Sequence, residues 1–343
     1  MTLDSLISWI NAAVIFGTVI MFGSVGEIIT EKSGNLNLGV PGVMYLGGIA
    51  SIAGAHFYEN YTDEPSKIIC LIIALLAGII ASALGGLLYS FLTITLRANQ
   101  NVTGLTLTIF GSGIANFFGG SLNKLSGGVG QISVLTTSAA FRTKIPWISS
   151  AFGRVSEIFF NYNWMVYLAI IITIAADYFL YRTRTGLNLR AIGENPATAD
   201  AAGINVTRYK YLATCIGCAI SGLGGTFYVM CYIKGTWENS GTIEALGWLA
   251  VALVIFTMWR PLNAIWGSYI FGACFWLNIY MPSSISKSLS SILGLKQITH
   301  LQNIYKMLPY VVTIIVLIIV SLRKKKENQG PAALGLSYFR EER

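Results

Sequence analysis

Long apolar runs alternate with short polar breaks along this chain. The runs lie at about 6–26, 37–57, 67–95, 102–119, 164–182, 209–232, 243–259, 262–281 and 307–322. A bilayer-crossing helix needs roughly 20 mostly apolar residues, so the pattern predicts an all-α, polytopic integral membrane protein with about nine spans, eight to ten at the limits. The 67–95 run is long enough for a tilted helix. The 37–57 run carries Gly39, Pro41, Gly42, Gly47, Gly48 and Gly54, and it reads as a segment that is broken or only partly crosses. The chain 1–343 reads as one membrane domain, with a patterned loop at 183–208 and a tail at 323–343.

Composition sharpens this picture. Of 343 residues, 54% are hydrophobic and only 11% are Asp, Glu, Lys or Arg. Soluble domains carry roughly 25% charged residues, so a soluble enzyme and a disordered chain are both excluded. The net charge of +8 does not imply nucleic acid, because the basic residues sit in short loops and the tail. Arg323-Lys324-Lys325-Lys326 follows an apolar run, which places the tail in the cytoplasm. The loop 183–208, with Arg184, Arg190 and Arg208, falls on the same side, as do Arg97 and Arg260. An odd span count then puts the N-terminus outside. The first basic residue is Lys32, so the charged start of a cleavable signal is missing.

The candidate chemistry is sparse. No Gly-x-x-x-x-Gly-Lys-Ser/Thr phosphate loop occurs, so any ATP hydrolysis belongs to another chain. Cys70, Cys215, Cys218, Cys231 and Cys274 lie in apolar runs and read as small buried hydrophobes, and Cys215 and Cys218 stand one helical turn apart without a second ligand pair. His56 and His300 make no catalytic set, so no catalytic or metal-ligating residues are assigned. Asp177 reads as the one acidic residue well inside a span, one turn from Arg182.

Two segments stand out. Glu31–Met44 reads Glu-Lys-Ser-Gly-Asn-Leu-Asn-Leu-Gly-Val-Pro-Gly-Val-Met. Irregular backbone at membrane depth must be buried or line a water-filled path. Asn35, Asn37, Gly39 and Pro41 are therefore candidates to face a polar solute, with close helix packing as the alternative. Phe117, Trp248 and Trp276 are aromatic candidates to stack on a solute or simply to pack. In the loop, Asn195 reads as an N-cap, Pro196 as the first helical residue and Gly203 as the stop of a short helix of about seven residues.

These residues carry a resemblance. Ser33-Gly34-Asn35-Leu36-Asn37-Leu38-Gly39 is similar to the "SGxxNxGxxG" segment of membrane permease subunits of ABC importers, in the branched-chain amino acid and ribose permease superfamily. Asn99-Gln100-Asn101-Val102-Thr103-Gly104-Leu105 resembles a helix opening of the nucleoside-uptake branch. Gly186 through Pro196, with Ala202-Gly203-Ile204-Asn205-Val206, resembles the family's coupling loop. Ser221–Gly225, Leu246–Phe256 and Trp259–Leu262 continue the match in order, over about 27–275. Many nucleoside-branch members carry Glu where this chain has Pro41.

The resemblance implies a cell-membrane transport subunit, not an enzyme, forming half of a translocation path for nucleosides. Asn101 and Gly104 join the path candidates. Arg190, Gly193, Glu194, Asn195, Pro196, Ala199, Asp200 and Gly203 would carry the coupling to a separate ATPase, with Glu194 and Asn195 capping the coupling helix and Ala199 on its docking face. Implied partners are two ABC ATPase subunits, which use ATP and Mg, a second related but different permease chain, and an extracellular substrate-binding lipoprotein. The last would meet the segment 120–163, whose alternative is a solvated loop. No cofactor is held by this chain. A monosaccharide or amino acid is the alternative cargo, and an ion-coupled secondary transporter is the alternative class.

Overall fold

The computed structural model describes residues 3–125, 132–144, 158, 160–238, 240–280, 307–308, 310–315, 318 and 329–339. Helices build it: α1 (Leu3–Glu31), α2 (Val40–Tyr61), α3 (Lys67–Ser90), α4 (Gln100–Leu125), α5 (Leu135–Phe141), α6 (Trp164–Arg182), α7 (Arg184–Glu194), α8 (Pro196–Ala201), α9 (Val206–Phe227), α10 (Thr242–Phe256) and α11 (Pro261–Tyr280). Wider π turns at Phe91–Thr95 and Tyr228–Tyr232 extend α3 and α9. Residues 310–315 are also helical. The pairings Ser133–Thr236 and Lys144–Asn163 are isolated β-bridges. Among the described residues, six helices, including the extended α3 and α9, are long and apolar enough to cross a membrane, and α10 is a shorter apolar helix.

α1 is the centre of the bundle. It packs on α9 and α11, then on α10, α6 and α2, and every residue from Phe16 to Glu31 is buried. Close crossings depend on small residues. Gly26 of α1 lies against Gly217 and Ser221 of α9, where a side chain would overlap backbone. The outer helices reverse the soluble pattern. α3 buries Gly78, Ser82, Gly85 and Gly86 and exposes Ile68, Ile72, Leu76, Ile80 and Leu84. Small residues allow close packing inside, while large apolar ones face a solvent as apolar as themselves.

Two expectations are corrected. α2 is one continuous helix of 22 residues, ~33 Å at 1.5 Å per residue, long and apolar enough to cross a membrane, and not a broken segment. Pro41 causes no break because it stands in the first turn, where its missing N–H is not needed. The irregular backbone is instead confined to residues 32–39, ahead of the helix. α1 also runs past the expected end at 26, so Glu27 and Glu31 lie inside the helix and are buried. Asp177 is therefore not the one acidic residue well inside a span.

The segment 120–163 is partly folded onto the bundle. The Glu59 carboxylate accepts from the Thr137 N–H (2.7 Å) and hydroxyl (2.5 Å) at the start of α5, and Ser138 donates to the Met230 carbonyl (3.0 Å). The remainder of this segment, 126–131, 145–157 and 159, lies outside the described residues. So do residues 309, 316, 317 and 319–322 of the expected span at 307–322, and the basic run 323–326.

Candidate coupling joint and solute path

The chain between α1 and α2 cannot satisfy its own backbone, and buried N–H and C=O groups must find partners. Four helices supply them. Glu27 of α1 accepts from the Asn37 N–H (3.0 Å), and Gln100 of α4 accepts from the Leu36 N–H (2.7 Å). Tyr89 of α3 donates to the Leu36 carbonyl (2.5 Å), and Thr108 of α4 to the Leu38 carbonyl (3.1 Å). From α9, Thr214 accepts the Asn35 amide (2.9 Å), and the Cys218 sulfur accepts the Asn37 amide (3.5 Å). The Asn37 side-chain amide oxygen (Oδ1) closes the segment by accepting from Gly39 N–H (2.9 Å).

Gly34 takes φ +88°, the left-handed region that favours glycine, and turns the chain there. Gly39 and Gly104 face each other across the α2–α4 contact. A Cβ on Gly104 would come within 2.7 Å of the Leu38 nitrogen. Trp259 donates its ring N–H to the buried Glu31 carboxylate. Burial holds the Lys32 ammonium below its usual range, with Glu194 pulling the other way.

The loop 183–208 folds as three capped pieces. The Thr183 hydroxyl accepts from Gly186 N–H at the start of α7, Asn195 from Thr198 N–H at the start of α8, and Asn205 from Arg208 N–H at the start of α9, each at 3.0 Å. Pro196 opens α8. Gly203, at φ +82°, ends the turn, and Ile204 N–H returns to the Ala199 carbonyl (3.0 Å). The expected short helix is thus six residues long. Glu194 is no part of its cap: it is the exposed last residue of α7. Ala199 is buried against Ile192 and Val206, and so does not lie on an outer face. Asn195, Thr198, Ala201, Ala202 and Gly203 are exposed. Arg190 stacks on the Tyr181 ring at 4.7 Å, and Gly193 packs against Lys32 and Pro331.

The tail joins these two regions. Ala333 N–H donates to the Gly193 carbonyl (2.9 Å), and Gly335 N–H to the Gly34 carbonyl (3.1 Å). The Tyr338 hydroxyl donates to Asp200 on α8 (2.9 Å). Phe339 lies under the Arg97 guanidinium, 4.5 Å from ring centroid to carbon. Residues 329–339 therefore form a strap from the end of α1 to α8.

Of the expected path residues, Asn35, Asn37, Gly39, Pro41 and Gly104 come together. Asn101 and Phe117 stand exposed on α4, and Trp248 is half-buried on α10, none of them in the joint. The sequence reading missed Glu27, Glu31 and the strap. Glu27 and Glu31 are spaced i, i+4 on one helical face, which was a readable signal. The strap's signal was Pro331-Ala332-Ala333-Leu334-Gly335-Leu336, an apolar stretch inside a charged tail.

Residues 9–318 match the family described as "Branched-chain amino acid transport system / permease component". The chain is 31% identical to a putative glucose ABC transporter permease protein of Haloferax volcanii, over 97% of each chain. It is 30% identical to a nucleoside ABC transporter permease protein of Lactococcus lactis, over 88% of this chain and 89% of the relative. It is 28% identical to a guanosine ABC transporter permease protein of Bacillus subtilis, over 90% of each. No solved structure matches the chain.

Proposed function

This chain belongs to the permease component family of branched-chain amino acid transport systems, and from that premise we propose that it forms half of an import path for nucleosides. The family membership itself makes it the permease subunit of an ABC transporter. It is a transport component of the cell membrane with several spans, not an enzyme, and it works with ATPase and other permease subunits.

The nucleoside assignment rests on the Asn99–Leu105 block and on two relatives named for nucleoside and guanosine transport. The relative named for glucose keeps a monosaccharide as the second reading. In the proposed arrangement the end carrying α7, α8 and the strap faces the cytoplasm, and the N-terminus lies outside. α8 enters a groove of the ATPase, and an external binding lipoprotein delivers the solute. One observation carries the coupling: α8 is anchored by Ala199 on one side and exposed at Thr198 and Ala201 on the other, while the strap links it to Gly34. Rigid transmission requires such an anchor.

Competition settles the cargo. Uptake of labelled adenosine by the assembled transporter is expected to fall with excess guanosine or uridine and to stay constant with glucose. Uptake of labelled glucose that ignores all three nucleosides would assign a sugar instead.

A further inference from the structure

A cavity at the start of α9 borders the joint and shares Asn35, Gln100, Asp200 and Tyr338 with it. It encloses about 670 Å³ between the first turn of α9 and the α3–α4 turn, with Tyr338 of the strap at its side. We propose that this cavity binds a phosphate group, carried either by a small phosphorylated metabolite or by the headgroup of an anionic lipid.

Positive charge predominates at the cavity wall. Arg97, Arg208 and Lys210 line the cavity against a single carboxylate, Asp200, which already accepts the Tyr338 hydroxyl. Lys210 is only 3% exposed, and among the described residues its ammonium has no hydrogen-bond or ion-pair partner. A buried charge is ordinarily paired, so an ammonium at a cavity wall without a counter-charge calls for an anion. Asn35, fully buried on the same wall, has a carbonyl oxygen with no donor. It can accept from a hydroxyl on the phosphate-bearing molecule.

The backbone adds donors to the same wall. α9 is 22 residues long, and Asn205 caps it at Arg208 N–H, so helix geometry leaves the N–H groups of Val206 and Thr207 open where they border the cavity. A helix start presents donors and partial positive charge to an anion. Arg97 is held in place despite φ +57°, a conformation that costs a non-glycine residue energy. Its stacking on Phe339 keeps the guanidinium at the cavity. Guanidinium groups pair with phosphate through two parallel bonds. The site does not depend on which solute is carried.

The test uses the full chain, purified in detergent free of phospholipid. Inorganic phosphate and AMP are titrated against chloride at equal ionic strength, and binding is followed by calorimetry. The same chain is then placed in nanodiscs of phosphatidylcholine, with and without phosphatidylglycerol, and its thermal unfolding is measured. Binding of phosphate or AMP is expected to weaken about tenfold or more in Arg208→Gln and in Lys210→Met. A metabolite source predicts this loss in detergent. A lipid source predicts silence in detergent and a stabilisation by phosphatidylglycerol that Arg208→Gln removes. Should Lys210→Met fail to fold, Arg208→Gln decides alone, because Arg208 is exposed. No binding of any of these probes, or equal binding by wild type and Arg208→Gln, overturns the proposal.

Discussion

Thr198 and Ala199 are neighbours on α8 with different surroundings, one exposed and one buried against Ile192 and Val206. Substitution at the two positions therefore separates docking from folding. Thr198→Arg is expected to leave the amount in the membrane unchanged and to cut uptake several-fold, with ATPase pull-down reduced. Ala199→Arg forces a guanidinium into an apolar cluster, and overpacking alone costs about 1–3 kcal/mol before the charge is counted. It should lower the folded amount, measured by membrane immunoblot. Equal uptake by Thr198→Arg and wild type would remove α8 from the coupling. The helix was legible from its caps and length and the family resemblance implied Ala199 as a docking residue, whereas the face that turns inward depends on Val206 and Ile192, which lie on other helices. Asn35 and Asn37 were legible for a related reason: polar amides on glycine-rich backbone rarely sit at membrane depth without a task. Their hydrogen bonds show that part of this task is to hold the segment closed, since both ends of the Asn37 amide are engaged within the chain.

The strap is the element whose role extends furthest beyond its size. Eleven residues, 329–339, contact the Gly34 turn, the end of α7, α8 and the α3–α4 turn. Deleting 329–343 removes two backbone hydrogen bonds and the Tyr338–Asp200 bond, each worth about 0.5–1.5 kcal/mol. The apolar spans should still insert, so membrane amount should stay near normal. Uptake is expected to drop at least several-fold while the ATPase still binds, because the link from α8 to Gly34 is lost. Normal uptake by the truncated chain would make the strap a mere cover. Most helices were visible in the hydropathy pattern, since membrane spans need long apolar runs whatever their neighbours. Their ends were not visible where tertiary contacts moved them. α1 continues through Glu27 and Glu31 because Asn37 and Trp259 bring donors to both carboxylates. α2 stays whole because its proline falls in the first turn.

At the scale of the whole molecule, large apolar side chains cover the outer faces of α3 and α4, and polar groups gather at one end of the bundle around Gly34, Gly193 and Asp200. That separation suits a subunit moved by a partner and lacking an energy source of its own. Energy dependence separates a partner-driven permease from an ion-coupled transporter. Labelled adenosine uptake would be measured in liposomes holding this chain with its companion permease, the ATPase and the binding lipoprotein, and in liposomes holding this chain alone. Uptake that requires ATP and every partner, and is absent with this chain alone under any ion gradient, is the predicted result. Uptake by the isolated chain, driven by a proton or sodium gradient without ATP, would contradict it.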